Sequence, residues 1–128
     1  MKWGAKPVLI LGYGVRASGV DANAFMALGV PVLTSWQGID LVDNHHPAYY
    51  GRPGIYGQRC ANKILYEADQ IVAVGCRLSP WTIGHAGLRP EQQLIMVDID
   101  EREVRRFPNA IWYSESIADF LRQTAPAH

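Results

Sequence analysis

Apolar runs alternate along the chain with segments whose apolar residues recur at helical spacing. The first run spans Val8–Leu11 and is closed by Gly12; the others are "VPVLTS", "QIVAVGC", "QLIMVDID" and "AIWY". Continuous apolar runs of this length are typical of parallel strands that are buried on both faces of a sheet. The pattern therefore predicts five strands.

Four segments between or after these runs predict helices. They are "ASGVDANAFMALG", with Val20, Ala24, Phe25 and Leu28 at helical spacing; "QRCANKILYEA", with Cys60, Ile64 and Leu65; "EREVRRF"; and "SESIADFLRQTA". Gly29 is expected to end the first helix, and the Ser114 hydroxyl to cap the last.

Alternating strands and helices predict a doubly wound α/β fold, in which helices cover both faces of a mostly parallel sheet. The pattern shows one domain over residues 1–128. Between the second strand and the second long helix, residues 36–57 carry no such pattern. A loop of this length in a small domain is expected to have a function or a neighbour.

Composition excludes several classes of partner. Twelve Lys and Arg balance twelve Asp and Glu without long runs of one sign, so neither nucleic acid nor an anionic membrane is an expected partner. The first apolar run is too short for a signal peptide or a membrane span, which predicts a cytoplasmic protein. Cys60 and Cys76 are interpreted as free thiols of the core in a reducing compartment.

Candidate binding residues follow the strands, because ligands of open α/β sheets bind beyond the carboxyl ends of the strands. Gly12, Gly14 and Ala17 fit G-x-G-x-x-A directly after the first strand, a pattern that lets backbone approach a diphosphate. A tight turn without a ligand is the alternative. The second strand ends in Thr34 and Ser35 without the acid that holds a ribose, which argues against ordinary NAD binding.

Two further strand ends carry charge. Arg77 follows the third strand and is interpreted as a phosphate ligand, a solvated side chain or an interdomain salt-bridge partner. Asp98 and Asp100 close the fourth strand, where they suit ribose hydroxyls, a metal or, more simply, the cap of the next helix. Adjacent His45 and His46 lack a third ligand for zinc, and no catalytic residue is predicted.

Four blocks, taken in order, resemble the central domain of thiamine diphosphate-dependent enzymes of the acetolactate synthase type. They are "KPVLILGYGVRASG", "LGVPVLTSWQGIDLVDNHHPAYYGRPGIYGQRCAN", "EADQIVAVGCRL" and "VDIDEREV". The resemblance runs from about Lys6 to Leu121. It implies a six-stranded, Rossmann-like sheet with the deoxyhypusine synthase-like NAD/FAD-binding topology.

The same resemblance implies that the catalytic residues and the cofactor site lie outside this segment. Family members hold thiamine diphosphate and magnesium between a first and a third domain, with a glutamate from one and a G-D-G segment from the other. This sequence has no G-D-G. We therefore expect a segment that is catalytically silent alone and that contacts flanking thiamine-binding domains or a second copy of itself.

Some family members bind FAD or an ADP group in this central domain. The resemblance places Gly12 and Gly14 on the glycine turn, Arg77 on the arginine of G-x-R, and Asp98 with Asp100 near the adenosine. Tyr13 and Trp81 depart from the FAD-binding pattern. A nucleotide-binding module is thus the alternative hypothesis, and an NAD fold like that of deoxyhypusine synthase or the sirtuins is a third.

Two further expectations concern loops and ends. The resemblance assigns "GRPGIYGQRCAN" to a loop that feeds the second long helix, with Gly51, Gly54 and Gly57 at turns that other residues cannot make. Family members lead into the first strand with a helix that this sequence lacks. Trp3 or a second copy is expected to cover the apolar surface left there.

Overall fold

The computed structural model describes residues 1–35, 42, 45–54, 57–83, 87–97 and 100–127, without the side chains of residues 80 and 81. The strands are β1 (Pro7–Leu11), β2 (Val32–Thr34), β3 (Gln70–Val74), β4 (Gln93–Val97) and β5 (Ile111–Tyr113). The helices are α1 (Tyr13–Ser18), α2 (Asn23–Met26), α3 (Arg59–Glu67), α4 (Pro80–Ile83), α5 (Glu101–Val104) and α6 (Ile117–Gln123).

All five strands pair in parallel in the order β2-β1-β3-β4-β5, as the alternating pattern predicts. The three central strands begin in one row, because Pro7 pairs with Gln70 and Gln70 with Gln93. From β1 the chain passes to β2 on one side and then to β3 on the other. The order of the sheet therefore reverses between β1 and β3.

Successive residues of the strands β1 to β4 enter two separate cores. On one face, Leu9, Leu11, Val72 and Val74 pack with side chains of α1, α2 and α6, among them Val15, Phe25 and Phe120. On the other face, Val8, Ile10, Ile71 and Ala73 pack with Ala61 and Leu65 of α3. Because both faces of the central strands are covered, β1, β3 and β4 are apolar at every position after the first, which confirms the doubly wound interpretation, whereas Ile111 and Trp112 of the edge strand β5 are exposed.

The first predicted helix is wrong in its extent. The structure has two short helices there, separated at Gly19, which adopts a left-handed φ of 76° and ends α1. The Asp21 carboxylate accepts a hydrogen bond from the Asn23 amide at 3.0 Å and starts the next turn. Phe25 is buried as expected, whereas Ala24 is exposed.

The segment expected to be a loop contributes to the sheet edge. Residues 48–51 run parallel to β2, where the Val32 amide donates to the Ala48 carbonyl at 2.8 Å and the Tyr50 amide to the Val32 carbonyl at 2.9 Å. The resemblance implied six strands. Within the described ranges there are five, and residues 48–51 lie where a sixth would pair.

The glycines of residues 51–57 lie where side chains do not fit. Gly51 and Gly54 have φ values of 99° and 111°, and a Cβ on Gly57 would lie 2.4 Å from the Arg52 carbonyl oxygen. Asn62 in α3 accepts from the Gly54 amide at 2.7 Å and donates to the Gly54 carbonyl at 3.2 Å. The helix thereby holds the loop that precedes it.

The cap of α6 is Ser116, so the prediction of Ser114 is wrong by two residues. The Ser116 hydroxyl accepts from the Asp119 amide at 3.1 Å. Ser114 lies beyond the end of β5, where it is exposed. The four-residue helix α4 was not predicted.

Replacing the two serines separately tests this cap. Ser116→Ala should lower the free energy of unfolding by about 1 kcal/mol, because an amide of the first turn loses its acceptor. Ser114→Ala is the matched control and should change it by less than about 0.5 kcal/mol. Urea denaturation measures both, and equal effects of the two substitutions would contradict the assignment.

Candidate functional site at the carboxyl ends of the strands

The loops that follow β1 and β3 touch through glycine backbone. A Cβ on Gly14 would lie 2.6 Å from the Gly75 Cα, and one on Gly12 would lie 2.5 Å from the Gly75 carbonyl oxygen. Gly75 itself has a left-handed φ of 57°. At this point, where the order of the sheet reverses, no side chain fits between the two loops.

Ligands of open α/β sheets usually bind in the crevice at this reversal. Here the amides of Gly12, Gly14 and Val15 donate to the carbonyls of Val74, Gly75 and Gly12, at 3.0, 2.9 and 3.1 Å. A diphosphate cradle needs such amides to point at the ligand. These three are engaged within the protein, which favours a tight turn without a ligand.

Tyr13 stands between the two glycines of this turn. Its side chain is 55% exposed to solvent. Trp81, the other departure from the FAD-binding pattern, has its side chain outside the described part of the structure.

Arg77 forms a salt bridge within the domain. Its Nη2 lies 3.2 Å from Oε1 of Glu103, and its Nε donates to the same oxygen at 3.3 Å. Arg106 donates from Nη1 to the other oxygen, Oε2, at 2.9 Å. Glu103 thus binds two arginines at once.

Glu103 is the site residue that the sequence did not reveal. Its carboxylate is nearly buried, whereas the Arg77 side chain is 77% exposed. The spacing of Glu103 and Arg106 in "EREVRRF" indicates a helical ion pair. Nothing in that spacing indicates that the carboxylate is buried or that it reaches Arg77, because both depend on how α5 packs.

Asp100 caps α5. Its carboxylate accepts from the Arg102 amide at 2.8 Å and from Arg102 Nη2 at 2.9 Å. The hydrogen bond from the Arg102 side chain, followed by that from the Arg102 amide, lowers the pKa of Asp100 to about 2, and the positive charge of Arg77 acts in the same direction. The capping interpretation is therefore the one that the structure shows for Asp100, while Asp98 lies outside the described residues.

The two cysteines differ. Cys76 is buried behind the glycine loop, and burial raises the pKa of its thiol to about 12, while a hydrogen bond with Ser35 opposes that shift. Cys60 is exposed on α3, so its assignment to the core is wrong. Its place at helical spacing with Ile64 and Leu65 did not distinguish the buried face of α3 from its edge.

The described residues contain neither a metal-binding cluster nor a membrane-spanning helix. Among the residues that the structure describes, no group of three or more His, Cys, Asp and Glu side chains is placed to hold a metal ion. His46 accepts the Ala48 amide through Nδ1 at 3.1 Å. No helix in the same residues is long and apolar enough to cross a membrane.

The family described as "Thiamine pyrophosphate enzyme, central domain" matches residues 2–124. The chain belongs to this family. Family membership thus covers nearly the whole sequence, including the turn at Gly12 and Gly14 and the segment from Asp98 to Arg106, and the resemblance to this family is confirmed.

Curated relatives contain this segment as a small part of a longer chain. The chain is 32% identical over 103 residues to the probable acetolactate synthase large subunit of Methanocaldococcus jannaschii. This alignment covers 77% of the chain and 17% of the relative. It is 31% identical over 109 residues to the acetolactate synthase isozyme 2 large subunit of Escherichia coli K12, covering 82% and 20%. The chain therefore spans about a fifth of such relatives.

A solved structure supports the fold independently. The thiamine diphosphate-dependent 4-hydroxybenzoylformate decarboxylase of Rhodococcus jostii RHA1 superposes with a TM-score of 0.68 at 24% identity. The match covers 95% of this chain and 25% of the decarboxylase. At that identity the likeness establishes the shared α/β fold.

The glycine contact can be tested by adding one methyl group. Gly14→Ala should lower the free energy of unfolding by about 3 kcal/mol, because its Cβ meets backbone that a side-chain rotation cannot move. Gly19→Ala is the control: nothing lies within 4 Å of a Cβ at this position, so only the strain of its left-handed φ, about 1 kcal/mol, is added. Equal losses in urea denaturation would show that the contact between the loops is not tight.

Titration of Asp100 tests the cap of α5. Because its pKa is lowered in the folded protein, the stabilisation is present above about pH 4, the unfolded value, and is lost as pH falls through about 2. Carboxyl carbon NMR should show Asp100 titrating near 2, and Arg102→Ala should raise that pKa. Arg105→Ala, which removes a guanidinium bound to Glu101, should leave it unchanged. If the pKa of Asp100 were the same in the Arg102→Ala variant as in the unmodified protein, the assignment of the cap would be contradicted.

Proposed function

We propose that this chain is the central domain of a thiamine diphosphate-dependent enzyme of the acetolactate synthase type, and that it is structural and catalytically silent alone. The family match over residues 2–124 is the observation that carries the proposal. The parent reaction would be decarboxylation of a 2-keto acid such as pyruvate, followed by transfer of the two-carbon unit to an acceptor.

The chain's own residues do not fit thiamine diphosphate. The sequence has no G-D-G segment, and the described residues hold no cluster of carboxylates and histidines that would suit magnesium. Bound in the flanking domains, thiamine diphosphate would supply the carbanion chemistry. This domain would contribute a rigid body to which those domains attach, and the whole would act in the cytoplasm.

The polar groups at the carboxyl ends support a structural role over a nucleotide site. Three amides of the glycine turn donate within the protein, Arg77 binds Glu103, and Asp100 binds Arg102. To take a diphosphate or an adenosine, the site would first have to break these pairs. We therefore expect neither FAD nor ADP to bind the chain with useful affinity.

Two measurements on the 128-residue chain test the proposal. Incubation with pyruvate, thiamine diphosphate and magnesium should yield no acetolactate, while the Escherichia coli isozyme 2 large subunit serves as the positive control. Calorimetric titration with FAD and with ADP should give no affinity tighter than about 1 mM. The Arg77→Ala variant should alter the free energy of unfolding and leave the calorimetric heats unchanged.

Each alternative has its own outcome. Acetolactate formed by the chain alone would overturn catalytic silence. Micromolar binding of FAD or ADP that Arg77→Ala weakens would establish the nucleotide-binding module instead. Binding that is indifferent to Arg77 would place a nucleotide elsewhere on the domain and would still contradict a purely structural role.

A further inference from the structure

At the opposite end of the sheet, where the strands begin, two side chains form hydrogen bonds with the backbone of the first residues of the chain. The Asp69 carboxylate accepts from the amides of Ala5 and Lys6 at 2.9 and 2.8 Å. The buried Gln70 side chain accepts from the Gly4 amide and donates to the Lys2 carbonyl, both at 2.9 Å. Residues 2–6, the lead segment, are thus fixed by two residues at the start of β3.

The last residues of the chain reach the same edge. The Trp3 indole Nε1 donates to the Ala125 carbonyl at 2.7 Å, and the Ala127 amide donates to the Leu28 carbonyl at 2.8 Å. Thr124, which is buried, donates its hydroxyl to the Phe120 carbonyl at 2.6 Å. Residues 124–127, the tail segment, therefore leave α6 along a defined path that meets Trp3.

Apolar packing joins the two segments. Met1, Trp3 and Ala127 are partly buried against the core on the α6 face of the sheet. Beside them lies a cleft of about 420 Å³, lined by both segments together with Pro31, Ile64 and Glu67. Trp3 meets the expectation that it covers apolar surface at this edge.

Chain ends fray unless they are tied down, and neither segment has regular secondary structure of its own. Each is ordered by a few partly exposed hydrogen bonds, which individually stabilise little. Trp3 is the group shared by the two, since its backbone belongs to the lead segment while its indole holds the tail segment. Loss of either segment's contacts should therefore release the other.

We propose that the lead segment and the tail segment form one unit, the clasp, which is held together by Trp3 and opens and closes as a whole. When it is closed, the clasp lies across the cleft at the end of the sheet where the strands begin. The clasp lies at the end of the strands away from Gly14, Arg77 and Asp100. Any polypeptide attached at either end would leave the domain from this one edge. The proposal does not depend on the function proposed above.

Amide hydrogen exchange followed by NMR on the whole chain tests the clasp. Trp3→Phe keeps the ring packing and removes the indole donor, and it should speed exchange at Lys6 and at Ala127 by about tenfold relative to core amides such as Ile10. Asp69→Ala removes contacts of the lead segment only, and it should also speed exchange at Ala127. Trp112→Phe, at the edge strand β5, is the matched control and should change neither.

The clasp is a unit only if a substitution in one segment reaches the other. Faster exchange confined to the segment that carries the substitution would overturn the proposal. Equal acceleration at Ile10 would also overturn it, because the clasp would then open only when the whole domain unfolds.

Discussion

The contact between Gly14 and Gly75 is the constraint on which the carboxyl edge of this domain depends. β1 and β3 are neighbours whose connections run to opposite sides of the sheet, so the loops after them diverge from one point. They meet there with backbone against backbone, and the Gly14 amide donates to the Gly75 carbonyl. The same contact lies where the order of the sheet reverses, the place at which related sheets bind ligands.

Around that contact, charged groups are satisfied by one another. Glu103 brings α5 to the end of β3 through Arg77 and holds Arg106 as well, while Asp100 starts the same helix. A buried carboxylate is tolerated when its oxygens are bound, and removal of one partner leaves a desolvated charge. These pairs therefore link α5 to the sheet, in agreement with the structural role proposed above.

The strands could be predicted because burial on both faces makes every position apolar, as in Val8–Leu11. The ends and caps of the helices were harder to predict. Gly19 ends α1 inside the segment that was predicted as one helix, and Ser116 caps α6 although Ser114 has the same hydroxyl. Cys60 and Glu103 were missed for a third reason: their exposure is set by how α3 and α5 pack on the sheet, and residue spacing within a helix does not contain that information.

The segment "GRPGIYGQRCAN" shows why short blocks identified the family when single motifs did not. Gly51, Gly54 and Gly57 each lie where backbone angle or space excludes a side chain. Gln58 and Asn62, at the start of α3, bind the Arg52 and Gly54 amides and so require the same turns. The conformation of this one loop therefore constrains five positions, whereas the G-x-G turn after β1 makes a contact that many α/β folds share. A sequence block identifies a family more specifically when more of its positions depend on one another. In this segment the dependent positions specify a loop and not a catalytic site.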